Sequence, residues 1–391
     1  MYSVSKAWVN ANDYFLAPEG FVELSCYIPA MKNTLVYTKH DLMSFTHQQT
    51  GSLITGELPK NHIEFTLDNS DGRWDPNNPT GLERYLSERL KITLRYGFAV
   101  NGVVEWIPGG VFYLSEWRTS HQSAEASFVA RDLLEYMLDK PYTGDISGTL
   151  YEVVTRAIQE ADIPTDVAPQ TMTLGRANLG VAVLGKVNTE FVRLSEELKN
   201  YTIQDIDYDT QDSIAVILQK CANAACCVMY QDRHGSLVIE KLETEDTGFT
   251  IPKKLSYSYP EIEFSRPIKN VQVSYFGGGT VNAIFGSLGE TQTLSNNFIS
   301  TEAQAFTVAK WVYENLRTRK KIHGEFRGDP RFDLFDSVSV EDKYGTIVGV
   351  VLTDIKYTFT GAFRISYSGY IYGSGVATFV YSGEVYTGEV E

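Results

Sequence analysis

The strongest constraint on the fold is a strict alternation of apolar and polar residues at positions 62–69, HIEFTLDN. Ile63, Phe65 and Leu67 point to one face of an extended strand, and the polar residues between them point to the other. Similar short runs recur at hairpin spacing over residues 21–137 and return after residue 255. Aromatic residues reach 13% and lie among Val, Ile, Thr and Gly. The sequence therefore predicts a mainly β protein, whose first part is a small barrel or sandwich.

Between these two strand-rich parts the apolar residues change to helical spacing. We expect one helix here with its N-cap at Ser147 or Thr149, and another with its N-cap at Asp209 or Thr210. A hairpin follows, with Gly235 at its turn. The middle of the chain is thus predicted to be mixed α and β.

The length of the chain predicts more than one domain, since 391 residues exceed one ordinary hydrophobic core. We assign residues 1–140 to a first β domain and residues 141–254 to an α/β connecting domain. Residues 255–391 form a second β domain with one inserted helix at about 301–320, capped by Ser300 or Thr301. The Tyr/Gly-rich end of this domain reads as a terminal β-hairpin that pairs with something else, because an isolated hairpin is marginally stable.

Charge and cysteine spacing argue against two classes of protein, those that bind nucleic-acid phosphates and those with CxxC metal or redox sites. The formal net charge of −15 argues against a protein that grips nucleic acid by neutralising its phosphates. An acidic channel wall could still let DNA slide without sticking. The cysteines, at positions 26, 221, 226 and 227, lack CxxC spacing and are expected to be reduced and structural. The basic residues at 317–321 suit the end of the inserted helix, where cations complement the helix dipole.

The stretch 65–81, FTLDNSDGRWDPNNPTG, is the one candidate metal site. Asp68, Asp71 and Asp75 surround Gly72, and clustered carboxylates with a glycine are typical of calcium loops. Their spacing departs from the EF-hand pattern. The alternative is a turn held by bonds from side chains to the backbone, with ion pairs to Arg73 or Arg84. We predict the turn, and no bound metal.

The motifs of common enzyme classes are absent from the sequence. No GxGxxG, GxxxxGK[ST], GxSxG or HExxH occurs, and His234 beside Asp232 lies at a hairpin tip where water is not excluded. We predict no catalytic residue, no cofactor and no enzymatic activity. The N-terminus does not resemble a signal peptide, and no apolar run approaches the ~20 residues that span a bilayer. We therefore expect synthesis in a cytoplasm and no insertion of this chain into a membrane.

Two stretches together resemble the baseplate hub or tail-associated (tail hub) proteins of tailed bacteriophages and prophage tail particles. The second and looser one covers residues 329–370 and begins with the pattern D-P-x-x-x-L-x-D-x-V-x-V over residues 329–340. The first follows F-x-L-D-N-x-D-G-x-[FW]-D-P, and its structural signature consists of Asp68, Asn69, Asp71, Gly72, Trp74, Asp75 and Pro76.

The resemblance implies two hub-type β-barrel domains, joined by the smaller α/β region and forming a ring. It implies a homotrimer whose six barrels continue the hexameric ring of the tail tube or distal tail protein, in the virion at the distal end of the tail. A central spike or fibre, the tape-measure protein, and DNA that passes through the lumen without specific binding are the expected partners. Synthesis would take place in the cytoplasm of the host bacterium.

The resemblance leaves two alternatives open. One is a tail adsorption module that binds host carbohydrate through exposed Tyr and Trp, and the other is a cell-wall or polysaccharide hydrolase. Hub proteins often carry a lysozyme-like or peptidase extension, whereas only about twenty residues follow the second stretch here, which ends at residue 370. We therefore expect the bare hub.

Overall fold

The computed structural model describes residues 1–13, 19–54, 56–119, 124–161, 192–203, 212–242, 246–372, 378–381 and 384–387. Its helices are α1 Lys6–Asp13, α2 Leu133–Leu138, α3 Leu150–Glu160, α4 Ile214–Ala224 and α5 Glu302–Leu316. Its strands are β1 Gly20–Ile28, β2 Asn33–Tyr37, β3 Leu42–Thr50, β4 Lys60–Asp68, β5 Lys91–Val100, β6 Val103–Thr119, β7 Glu125–Arg131, β8 Gly148–Thr149, β9 Val192–Leu194, β10 Thr202–Ile203, β11 Val228–Gln231, β12 Leu237–Glu240, β13 Asp246–Ile251, β14 Glu261–Phe264, β15 Ile268–Ser274, β16 Thr280–Ile284, β17 Glu290–Ser295, β18 Lys320–Arg327, β19 Ser337–Glu341, β20 Ile347–Phe359, β21 Phe363–Tyr372, β22 Thr378–Tyr381 and β23 Glu384–Thr387.

One large sheet contains strands from both ends of the chain. Its order is β14-β18-β21-β20-β3-β4-β7-β6-β5-β1-β2, and β19 pairs with β20 and with β13 at a branch. The link between the two strand-rich parts is the antiparallel pairing of β20 with β3, in which Asp354 lies opposite Thr50 and Phe359 opposite Phe45. The mainly β class is thus confirmed. Two separate barrels and a ring stay predictions.

One large hydrophobic core serves most of this sheet. It includes apolar residues of β1 and β3–β7 together with those of β18–β21. Alternation along β4 buries Ile63, Phe65 and Leu67, as their pattern predicts. The sheet curls so that the ring of Phe363 lies 5.5 Å from those of Tyr96 and Phe98, measured between ring centroids. Strands distant in the sequence are therefore packed face to face.

A second core lies on the α/β part. It contains apolar residues of the four helices α2, α3, α4 and α5 and of the sheets β11-β12-β9 and β16-β15-β17. Helix α5 confirms that a helix is inserted here, and Thr301 caps it by accepting a hydrogen bond from the Gln304 backbone at 3.2 Å. The helix ends at Leu316, before the predicted bound near 320, and its last turn carries no basic residue because β18 already begins at Lys320. This helix packs against α4 and β15, so residues from about 268 to 312 share the α/β core. The predicted domain bounds stay predictions.

The helix starts show one success and one correction. Thr149 caps α3 in a reciprocal capping box with Glu152. Helix α4, in contrast, starts later than its pattern predicts. Its cap is Ser213, whose hydroxyl accepts from Val216 N at 3.4 Å, while the predicted caps at 209 and 210 lie outside the described residues.

Candidate functional site

The signature loop, residues 68–81, winds through consecutive turns after β4. The backbone N–H groups of Gly72, Asp75 and Asn78 each donate to the carbonyl three residues earlier, at 2.9, 3.0 and 3.0 Å. Gly72 has a φ of +68°, a conformation that favours glycine. The loop therefore satisfies much of its own backbone without a neighbouring strand.

The three aspartates of the metal hypothesis each hold a separate turn. Asp68 accepts from Ser70 N at 2.9 Å, and Asp75 accepts from Asn77 N at 2.8 Å. Asp71 accepts from the backbone N of Arg73 at 3.0 Å and from its Nε at 2.7 Å. Hydrogen bonding to Arg73 lowers the pKa of Asp71.

These carboxylates do not converge on a common point. The other suggested partner, Arg84, donates to the Pro79 carbonyl and the Tyr85 hydroxyl instead. Across the part of the chain that the structure describes, no group of three or more His, Cys, Asp or Glu side chains is arranged to hold a metal ion.

Two buried members of the signature fasten the loop to the core. The side-chain oxygen of Asn69 accepts from Trp74 N at 2.8 Å, and Asn69 N donates to the Ala124 carbonyl at 2.6 Å. The Trp74 ring packs against Phe128 and Tyr37 at centroid distances of 5.2 and 6.1 Å. The signature thus pairs exposed turn formers with a buried anchor.

The second resemblance pattern begins with a loop of buried charges, residues 328–336, which we call the buried-charge loop. Arg331 and Asp329 are both buried and bond to each other, with 2.7 Å between Nε and Oδ2. Asp329 also accepts from Trp8 Nε1 at 3.3 Å, and the Tyr357 hydroxyl donates to the Phe332 carbonyl at 2.6 Å. This loop is tied to the β core at several points.

Arg233 joins the buried-charge loop to the α/β part. It lies at the tip of the β11–β12 hairpin and is only 6% exposed. Its guanidinium donates to Asp333 at 2.6 to 2.9 Å and to the carbonyls of Pro108, Arg331 and Phe332 at 3.0 to 3.1 Å. A planar fork with five donors can satisfy such a set, whereas lysine cannot.

Sequence reasoning missed Arg233, because it weighed only the residues on either side. Asp232 shapes the turn by accepting from the backbone N of His234 and of Ser236, both at 2.9 Å. The His234 ring lies near Tyr2, with 6.0 Å between centroids. A hairpin-tip arginine is normally solvated, and the only available signal was the acidic composition of residues 329–336.

A buried histidine, His47, stacks on Tyr357, the residue whose hydroxyl bonds to the buried-charge loop. His47 is bonded to the Tyr96 hydroxyl at 2.5 Å and to Asn61 Oδ1 at 2.7 Å, and its ring stacks on Tyr357. Burial lowers the pKa of His47 to about 3, so its imidazole is neutral in the folded protein at ordinary pH. This is a hydrogen-bonded core residue rather than a proton donor for chemistry.

The four cysteines are buried and form no disulfide, as the sequence indicates. Burial raises the pKa of the Cys226 and Cys227 thiols to about 12. Both are therefore protonated and unreactive at neutral pH.

An open cleft of about 720 Å³ lies where the outer face of β4, β7 and β6 meets α2. Its lining is mixed, with Leu58, Trp117 and Leu138 beside charged side chains. Arg131 binds both Glu116, at 2.9 Å, and Glu135. The two carboxylates are thus held in an ion-pair network.

Solved structures provide the comparison that decides the fold, since no family model and no curated protein matches the sequence. The tail protein from Neisseria meningitidis MC58 aligns with a TM-score of 0.60 and 11% identity, over 89% of this chain and 96% of its own. The 43 kDa tail protein of prophage MuSo2 from Shewanella oneidensis gives 0.60 and 12%, over 90% and 98%. The chain has a prophage tail protein fold.

The tail protein fold is supported by a third structure. Prophage tail protein gp18 from Listeria monocytogenes EGD-e aligns with a TM-score of 0.53 and 12% identity, over 89% of this chain and 94% of its own. The resemblance found in the sequence is thereby confirmed at the level of the fold. No helix among the described residues is long and apolar enough to cross a membrane.

Proposed function

We propose that this chain is a structural virion protein, the trimeric hub that closes the distal end of a phage-type tail tube. Three copies form a ring that links the tube or distal tail protein to a central spike or fibre, and its lumen is the channel for the tape-measure protein and for DNA ejection. In this role the chain is not an enzyme. Its work is mechanical and rests on interfaces between copies and with its neighbours.

The observation that carries this proposal is the extent of the fold match. Two prophage or bacterial tail proteins align over 89 to 90% of this chain and 96 to 98% of their own length. Most of the fold of this chain is therefore shared with these two proteins. The two sequence patterns of the hub family fall on loops that the structure ties to the core, one through Trp74 and one through Arg233.

Charge supports passage of DNA without specific binding. The net charge is −15, and several exposed arginines on the large sheet are neutralised by carboxylates. Arg131 is paired with Glu116, and Arg95 and Arg364 are paired with Glu23 and Glu325. Paired guanidinium groups are poor counterions for phosphate, so a surface of this kind releases a passing polyanion.

Negative-stain microscopy of the purified full-length chain tests the hub proposal. We expect rings with threefold symmetry and a central opening, alone or after addition of the tail tube protein. If only particles of monomer size are seen, both for the chain alone and with the tail tube protein, the proposal is overturned.

One observation favours a second candidate function, adsorption to host carbohydrate. Tyr257, Tyr259 and Tyr344 are all more than half exposed. Lys253 Nζ lies 5.1 Å from the Tyr259 ring centroid and donates to the Lys343 carbonyl at 3.1 Å. Exposed aromatic rings beside polar groups are suited to stacking on sugars.

A glycan array separates adsorption from a purely structural role. Specific binding that is lost in Tyr259→Ser and Tyr344→Ser, and kept in the exposed control Leu288→Ser, would support adsorption. An array without signal removes this candidate. No observation among the described residues favours the hydrolase alternative.

A further inference from the structure

The cleft between α2 and the outer face of β4, β7 and β6 is large enough to hold a ligand. Its volume of about 720 Å³ lies within the range of roughly 300 to 1,000 Å³ that is usual for small-molecule sites. Neither the signature loop nor the buried-charge loop contributes to its lining. The cleft is therefore separate from the two loops that carry the family patterns.

The strand register places two carboxylates on either side of one apolar residue in this cleft. Val129 of β7 lies opposite Glu64 of β4 and also opposite Glu116 of β6. Opposite residues of an antiparallel pair share a face, so all three side chains lie on the outer face of the sheet. Two interstrand spacings separate the glutamates, which is about 10 Å between their Cα atoms. The floor of the cleft is thus an apolar strip with an acceptor group on each side.

The charges that line the cleft balance one another. Its lining includes three cations and three carboxylates, namely Lys60, Arg118, Arg131, Glu64, Glu116 and Glu135. Burial lowers the pKa of His62, which also lines the cleft, so its imidazole is neutral at neutral pH. The chain as a whole, in contrast, has a net charge of −15. A neutral ligand therefore fits this cleft better than a polyanion or a polycation does.

The charged side chains of the cleft offer both donors and acceptors to a ligand. Arg131 binds Glu116 at 2.9 Å and also binds Glu135, so these three side chains hold one another in place. No described carboxylate lies within ion-pair distance of Lys60 or Arg118. A hydroxyl group can donate to a carboxylate and accept from a cation. A ligand with many hydroxyl groups can therefore bond to both kinds of side chain.

The position of the cleft in the sheet argues against a peptide as the ligand. Strands β4, β7 and β6 are interior strands whose backbone groups pair with their neighbours, so an extended peptide cannot be added as a further strand. An amphipathic helix that packs on Val129 would take Glu64 and Glu116 out of water on either side of it. Ligand hydroxyl groups would instead donate to these two carboxylates.

We propose that this cleft binds a neutral carbohydrate, as a short oligosaccharide or as a stretch of an uncharged polysaccharide. The apolar faces of the sugar rings pack on Trp117, Val129 and Leu138, and the sugar hydroxyls bond to the charged side chains beside them. The inference rests on the second candidate function, adsorption to host carbohydrate, and gives it a site other than the exposed tyrosines. The hub role does not depend on this site.

An array of neutral and acidic bacterial surface glycans, probed with the full-length chain, tests the class of ligand. We expect binding to neutral glycans, without a requirement for a carboxylate, sulfate or phosphate group. Binding that is confined to acidic glycans would overturn the inference.

Isothermal titration calorimetry with the neutral oligosaccharide that gives the strongest array signal then locates the site. Glu64→Gln and Arg118→Gln should each weaken binding by about tenfold, since each removes a charge-assisted hydrogen bond to the sugar. The matched control is Glu261→Gln, at another exposed strand glutamate outside the cleft, and it should leave the affinity unchanged. Equal affinities of the Glu64→Gln and Glu261→Gln variants would contradict the proposal.

Tyr259→Ser separates the cleft from the exposed tyrosines. We expect this variant to bind the oligosaccharide as the natural chain does. If Tyr259→Ser loses binding and Glu64→Gln keeps it, the cleft is refuted and adsorption stands. An array without any signal refutes both the cleft and the adsorption candidate, whereas threefold rings in microscopy would still support the hub.

Discussion

The two loops that carry the family patterns are both rich in aspartate, yet they use their charges in opposite ways. In the signature loop the carboxylates of Asp68, Asp71 and Asp75 accept hydrogen bonds from backbone N–H groups two residues later. In the buried-charge loop Asp333 binds Arg233, which lies 100 positions away in sequence. Short-range bonds define the shape of one loop, and long-range bonds fix two cores to each other in the second. Burial, rather than composition, decides which role an aspartate takes.

The largest expected effect is that of Arg233→Ala. It removes the guanidinium partner of the partly buried Asp333 carboxylate and one donor from each of the carbonyls of Pro108, Arg331 and Phe332, so we expect the free energy of unfolding to fall by about 3 kcal/mol. Urea denaturation measures this loss. The matched control is Arg73→Ala, which breaks the half-exposed pair with Asp71 and should cost less than about 0.5 kcal/mol. Similar losses for both variants would remove the distinction between the loops.

Asn69→Ala tests the one buried polar anchor of the signature loop. The backbone N of Trp74 loses its acceptor in a buried position, and we expect a loss of about 2 kcal/mol in the free energy of unfolding. Asp68→Ala removes bonds of the same turn type at an exposed site and should cost about 0.5 kcal/mol. A reversed order in urea denaturation would show that burial does not control the effect.

Acid should lower the stability of the folded protein through the buried His47. Its pKa is lowered to about 3 in the folded protein and is near 6.5 when unfolded, so the unfolded state binds the proton first as pH falls. Its contribution to stability is complete above pH 6.5 and decreases below it, by about 1.4 kcal/mol at pH 5.5.

Comparison with His47→Gln isolates this contribution, because other groups also titrate in acid. We expect the variant to lose less free energy of unfolding than the natural chain between pH 7 and pH 5.5. Parallel pH profiles for the two chains would place the acid sensitivity elsewhere.

The smallest expected effect concerns calcium at the signature loop. Since Asp68, Asp71 and Asp75 bond to separate backbone groups, we predict the same Tm in millimolar calcium and in chelator. A rise in Tm with calcium that disappears in Asp71→Asn would instead establish a metal site.

Local patterns in the sequence predicted those features, such as strands and helix starts, that depend on residues close together in the chain. Alternation at Ile63, Phe65 and Leu67 predicted a buried strand, and the cap at Thr301 predicted the start of α5. The pairing of β20 with β3 was not predictable in this way, because it joins residues about 300 positions apart. Arg233 was missed for the same reason, since its partners lie on loops that meet only in the folded chain.

Native mass spectrometry of the full-length chain tests the central claim most directly. The account predicts a species of three times the chain mass of 43.9 kDa, which increases with protein concentration. A monomer at every concentration and ionic strength would contradict the trimeric hub.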